Sequence, residues 1–237
     1  MTLTSPIPTA TSIPEFITSW YERLQPRPLA EVIADPASAA IFSTDMTVGF
    51  CERGNLASAR VGALKEPVVD LIERAHALGM HHFVLAQDTH HPQTPEFEAW
   101  PVHCVRGTDE AETIPELKSL PFANLLTVIE KNSLHPALET EFDPWLDAHP
   151  GLRIAIVVGN CTDLCVYQLA MHLRVRHNAR NVPGMLVIVP ADAVDTYDLS
   201  VETAAAIGAL PHPGDFFHQV FLYHMALNGI QVVRELV

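Results

Sequence analysis

Lysine is scarce in this chain. Lys65, Lys118 and Lys131 are the only three in 237 residues, and basic residues number 14 against 28 acidic ones, a formal net charge of −14. A chain so acidic has no basic surface with which to displace counterions from a polyanion. Nucleic acid is therefore excluded as a partner, as is an anionic membrane surface. Cysteine is sparse too. Cys51, Cys104, Cys161 and Cys165 are too few for a disulfide scaffold at this length, and the CxxxC spacing of the last two is not the CxxC of a redox or zinc motif. They read as reduced thiols of a cytoplasmic protein. Long apolar runs are missing: none exceeds that at Ile154–Val158, far short of a membrane span. The opening stretch MTLTSPIPTATSIPEF lacks the basic start and apolar core of a signal peptide.

What remains is a core-forming chain, 48% hydrophobic and 18% charged, with the length of one large domain or two small ones. Residues 1–37 are rich in Pro, Thr and Ser, with a short amphipathic stretch at Ile13–Leu24. They read as an N-terminal extension that packs on a neighbour or frays. From residue 38 to 237 short apolar strands alternate with helical stretches. The strands are expected at Ala39–Ser43, His82–Ala86, Leu125–Ile129, Arg153–Val158, Met185–Val189 and Ile230–Val233. Val68, Leu71, Ile72, Ala75 and Leu78 keep helical spacing between Pro67 and Gly79. Val166, Leu169, Ala170 and Leu173 do the same after Thr162, a candidate cap. A third helix is expected at Asp215–Leu227. Near-continuous strands alternating with helices indicate one three-layer α/β/α domain around a mainly parallel, Rossmann-like sheet.

Ligands of such sheets sit beyond the carboxyl ends of the strands. Asp45, Asp88 with His90, Lys131, and Cys165 follow the first four strands in turn. Cys165 falls in the first turn of its helix, where free N–H groups lower a thiol's pKa and can hold an oxyanion. Cys51, Cys104 and Cys161 read as small buried hydrophobes, with Cys161 able to serve through its backbone. Asp45 could be a simple turn cap. Lys131 closes an apolar strand, and a lysine buried there needs an acid partner. Together, Asp45 as general base and acid, Lys131 as charge holder and Cys165 as nucleophile make a covalent machine acting on a carbonyl.

Five of the 13 histidines fall between residues 81 and 103: His81, His82, His90, His91 and His103. Asp88 and His90 form a D-x-H pair, with Glu96 and His103 in the same loop. An Asp with two His suits a borderline divalent cation, Zn²⁺, Fe²⁺ or Mn²⁺. His81, His82 and His91 read as ordinary surface histidines.

Four motifs, in order, are DMTVGFCERGNL from Asp45, DTHHP…WPVHCVRGT from Asp88, IEKNSL around Lys131 and GNCTDLCV ending at Val166. With them the chain, over roughly residues 38–236, resembles the isochorismatase-like cysteine hydrolases, and among these the plant-type nicotinamidases. The resemblance implies hydrolysis of nicotinamide to nicotinic acid and ammonia by a catalytic triad of Asp45, Lys131 and Cys165. It implies a metal, zinc foremost, on Asp88, His90 and His103, with Glu96 as a further ligand. Phe50 and Trp100 would sandwich the substrate ring. The N–H groups of Cys161 and Cys165 would form the oxyanion hole beside a cis peptide at Asn160–Cys161. A homo-oligomer, dimer or tetramer, is also implied. Two readings stand beside this one: a family amidohydrolase acting on another small amide, carbamoyl or ureido compound, and a non-catalytic binding protein on the same fold.

Overall fold

The computed structural model describes residues 12–237; the first eleven residues of the expected extension lie outside that range. Seven strands form one sheet, every pairing parallel: β1 (Ala39–Thr44), β2 (Phe83–Asp88), β3 (Leu126–Lys131), β4 (Ile154–Asn160), β5 (Leu186–Pro190), β6 (Val194–Asp195) and β7 (Gln231–Val233). Their order is β3-β2-β1-β4-β5-β7, with β6 pairing the last residues of β4. The longer helices are α1 (Ile13–Glu22), α2 (Lys65–Ala77), α3 (Phe142–Ala148), α4 (Cys165–Ala179), α5 (Val201–Ile207) and α6 (Gly214–Leu227).

The two-residue period of the strands divides the core between the sheet's faces. Ile41, Leu85, Ile156 and Ile188 point to one face and meet Val68, Leu71, Ile72 and Ala75 of α2. Phe42, Val84, Val157 and Val187 point to the other and meet Leu169, Ala170 and Leu173 of α4 with Leu222 and Met225 of α6. Burial on both faces is why these strands read as continuous apolar runs rather than alternating ones.

Edge strand β3 departs from this pattern. It is half covered, with Val128 49% exposed, while its last residue Lys131 is buried. The opposite edge is closed: residues 25–29 run beside 234–237, with Arg27 N–H donating to Glu235 O and Val237 N–H to Arg27 O. Helix α1 lies on α6 of the same chain, through the edge contacts of Phe16 and Trp20 with Tyr223.

Element ends moved by one or two residues. Strands β2 and β3 run through Asp88 and Lys131, so both residues are paired strand ends, in register with each other. Thr162 is not a cap: α4 starts at Cys165 behind Leu164, with no capping side chain, and the Thr162 hydroxyl bonds His218 instead.

Gly159 shows how tightly the active ends are set. It pairs with Thr44 at φ +103, and a Cβ there would collide with the Thr44 carbonyl oxygen. Gly159→Ala should therefore cost at least about 2 kcal/mol and lower the melting temperature by about 4–8 °C. Val128→Ala on the exposed edge should stay within about 0.5 kcal/mol. Thermal denaturation of the two variants checks the contrast, and equal melting temperatures would contradict it.

Candidate active site

Four buried groups meet at the carboxyl ends of β1 to β4. The turn after β1 puts Asp45 at φ +52, a conformation Asp tolerates better than most residues. Its Oδ1 accepts the Asp88 N–H at 2.7 Å, and its carbonyl accepts Asn160 Nδ2 at 2.7 Å. Lys131 Nζ lies 3.0 Å from Asp45 Oδ2, donates to Asp88 Oδ1 at 2.5 Å and reaches Cys165 Sγ at 3.5 Å. The carboxylates of Asp45 and Asp88 and the Cys165 thiol offer atoms within 4.8 Å of one another, and the ammonium is the cation that all three share.

One cation among two carboxylates divides their proton affinities. Burial acts to raise the Asp88 carboxyl, but Lys131 and the hydrogen bonds from His103 and His90 hold it well below the usual carboxylate range. Asp45 goes the other way, pushed up to about 6 by burial and then by the Asp88 charge. Burial acts against the Lys131 ammonium, yet Asp45 and Asp88 keep it charged. The Cys165 thiol is pushed up, by burial and by Asp45, against the pull of Lys131. This reverses the expected direction: the helix terminus lowers a thiol's pKa less than burial beside a carboxylate raises it. The thiol is therefore protonated at rest, and Asp45 is the carboxylate with the affinity to take its proton.

The turn from β4 into α4 carries Cys161, Thr162, Asp163 and Leu164. The Asn160–Cys161 peptide is cis. Neither the Cys161 nor the Cys165 N–H donates to a backbone carbonyl, as befits the uncapped start of a helix. The other thiols are chemically quiet. Burial pushes both Cys161 and Cys51 up to about 12, and Cys104 is raised as well, also by burial.

Beside this cluster, Asp88, His90, Glu96 and His103 form a group able to hold a divalent metal, their donor atoms within 4.8 Å of one another. His103 Nδ1 donates to the Pro101 carbonyl at 2.7 Å, which turns its Nε2 lone pair inward. The Nε2 atoms of His90 and His103 are 3.1 Å apart, and Glu96 Oε1 is buried without a hydrogen-bond partner, 3.7 Å from His90 Nε2. Inward-facing imidazole nitrogens with an orphaned carboxylate oxygen fit a borderline cation. Phe97 packs edge-on against both histidine rings.

A cavity of about 820 Å³ opens over these groups, lined by Asp45, Phe50, Asp88, Glu96, Trp100, His103, Asn160, Cys161 and Cys165 among others. His90 and Lys131 are buried outside its lining. Phe50 sits edge-on to His103, and Trp100 edge-on to Tyr197. His81 and His91 are exposed, and His82 packs against His149. Sequence reasoning missed the far wall, where Tyr197, His212, Phe217 and residues 207–211 also line the cavity. That wall follows the two-residue strand β6, too short to leave any periodicity.

Comparison with known proteins agrees with this geometry. The model of the isochorismatase domain matches residues 39–215. Nicotinamidase 1 of Arabidopsis thaliana is 31% identical over 217 residues, covering 84% of this chain and 87% of that protein. The nicotinamidase/pyrazinamidase of Mycobacterium tuberculosis is 31% identical over 144 residues, 55% of this chain and 76% of that protein. The pyrazinamidase of Pyrococcus horikoshii, solved in complex with zinc, shares the fold at a TM-score of 0.64 and 21% identity, covering 83% of this chain and 99% of that one. The chain thus belongs to the isochorismatase-domain family, in its nicotinamidase branch.

Proposed function

We propose that this chain hydrolyses nicotinamide to nicotinic acid and ammonia through a thioester on Cys165. The observation that carries the reading is the buried set of Asp45, Lys131 and Cys165, opening on a cavity that also holds Asp88, Glu96 and His103. Asp45 takes the thiol proton, and Sγ attacks the amide carbon. The carbonyl oxygen gains negative charge against the N–H groups of Cys161 and Cys165. The C–N bond breaks, and ammonia leaves with the proton that Asp45 returns. Water, deprotonated by Asp45, then opens the thioester. Nicotinic acid departs and the thiol is restored. Lys131 balances the carboxylates throughout.

The metal ligands in this reading are Asp88, His90, Glu96 and His103, with Zn²⁺ foremost and Fe²⁺ or Mn²⁺ as alternatives. A divalent ion held there would supply an anchoring Lewis-acid contact for the pyridine nitrogen, direct or through water. Phe50 and Trp100 flank the ring, both lining the cavity. The catalytic domain spans residues 38–237, after an extension of residues 1–37. We place the protein in the cytoplasm, and its four free cysteines fit a reducing compartment. No helix among the described residues is long and apolar enough to cross a membrane. A homo-oligomer, dimer or tetramer, is supported by the half-covered β3 edge and by exposed Ile207 and Leu210 at the rim of the cavity.

Two outcomes test this reading. Cys165→Ala should lower ammonia release from nicotinamide by at least about 10³-fold while retaining its metal by elemental analysis. Turnover at the wild-type rate would remove Cys165 from the chemistry. Stripping the metal with a chelator should reduce nicotinamide turnover at least about tenfold. Zn²⁺, Fe²⁺ or Mn²⁺ should restore it, and the rate of Cys165 alkylation should hold throughout. Turnover of a carbamoyl or ureido compound with none of nicotinamide would replace the substrate.

A further inference from the structure

Thr162 and Asp163 are both residue types that cap helices well, and both stand just before α4, yet α4 has no side-chain cap. Each is used elsewhere. Thr162 Oγ1 is 2.9 Å from His218 Nδ1, and Asp163 Oδ2 is 2.9 Å from His212 Nε2. His212 Nδ1 is 2.9 Å from the Tyr197 carbonyl. Both ring nitrogens therefore face acceptors, an arrangement that only a doubly protonated imidazolium satisfies. The ring is stacked between Tyr197, at 3.9 Å and 15°, and Phe217, at 4.5 Å and 12°, a sandwich that favours a cation. His212 is 8% exposed. Its backbone also exchanges both hydrogen bonds with Leu199, closing the base of the excursion that carries α5 over the cavity.

We infer that His212 is a positioning residue for the oxyanion hole: its imidazolium holds Asp163, and through Asp163 the turn whose two ends present the Cys161 and Cys165 N–H groups. The turn is short and joins no strand ladder. Leu164 and Val166 N–H both bond Cys161 O, which shapes the turn internally, and Thr162 N–H to Asp195 O is its one backbone tie to another segment. The Asp163–His212 pair is its charged tether. A donor displaced by about 1 Å can cost two orders of magnitude in rate, so a turn released on one side loses transition-state stabilisation more than it loses substrate. His212 touches neither the thiol nor the metal-ligating group, and those functions should survive its loss.

This inference rests on the amidohydrolase reading, and the experiment separates the two. Wild type, His212→Ala, His212→Gln and Asp163→Asn are compared in kcat and KM for nicotinamide. They are compared also in inhibition by pyridine-3-carbaldehyde, in iodoacetamide alkylation of Cys165 and in metal content. The aldehyde forms an Sγ–C bond with Cys165, the carbonyl π pair moving onto oxygen and the thiol proton to Asp45, so its affinity reports the oxyanion hole. His212→Ala should lose at least about tenfold in kcat and a similar factor in aldehyde affinity. Its KM should stay within about threefold, and alkylation and metal content should be unchanged. Asp163→Asn should follow it, and His212→Gln, which keeps a donor for Asp163, should fall between it and wild type. If the Ala variant does not fold, the Gln and Asn variants decide on the same readouts. Wild-type kcat and aldehyde affinity in the folded variants would overturn the inference, as would parallel loss of alkylation and metal. An inactive wild type would instead refute the nicotinamidase reading.

Discussion

Everything at the active end of this molecule depends on one buried ammonium. Lys131 sits out of water with Asp45, Asp88 and Cys165 around it, and an ammonium so placed is tolerable only when paired and hydrogen-bonded. The pairing is written into the sheet. The register of β2 with β3 sets Asp88 opposite Lys131, and the Asp45 N–H bonds the Ala86 carbonyl. Two paired strand ends and the turn after β1 thus deliver the three charges to one point. Burial, and then the Asp88 charge, push the Asp45 carboxyl up to about 6, while Lys131 and the two histidines hold Asp88 well below the usual carboxylate range. The raised thiol and the raised carboxyl share one origin, burial first and a neighbouring carboxylate second.

Asp88 also joins the two halves of the site. One of its oxygens takes the Lys131 proton donor, while the carboxylate as a whole faces His90 at 3.4 Å and His103 at 3.7 Å. In the proposed reaction, substrate anchoring and nucleophile activation would share this carboxylate. Lys131, alone among three lysines, closes an apolar strand, which explains how so acidic a chain still places a cation at its centre.

Much of this was legible along the chain. Continuous apolar runs gave away β1 to β5, and the groups just past them, Asp45, Asp88, Lys131 and Cys165, do meet in space. The candidate metal-binding group was visible because Asp88, His90, Glu96 and His103 are close in sequence as well. What was hidden is non-local. Thr162 has the chemistry of a cap, and only the distant His218 explains why it is not one. The thiol's raised pKa follows from burial and from Asp45, 120 positions earlier in the chain, neither of which a helix terminus announces. Tyr197 and His212 lie in a stretch with no strand or helix period to mark it, and Phe217, though on the expected α6, joins them only through the fold. The clear faces of α2 and α4 were readable because each packs on one side of one sheet, whereas half-covered β3 read like any other strand.

In the proposed reaction Cys165 opens nicotinamide through a covalent acyl intermediate. The most direct measurement is acid-quenched single turnover with nicotinamide, followed by peptide mapping by mass spectrometry. A nicotinoyl group is expected on Cys165, with none on Cys51, Cys104 or Cys161, appearing and decaying at rates consistent with turnover. Full conversion to nicotinic acid with Cys165 never acylated would contradict it.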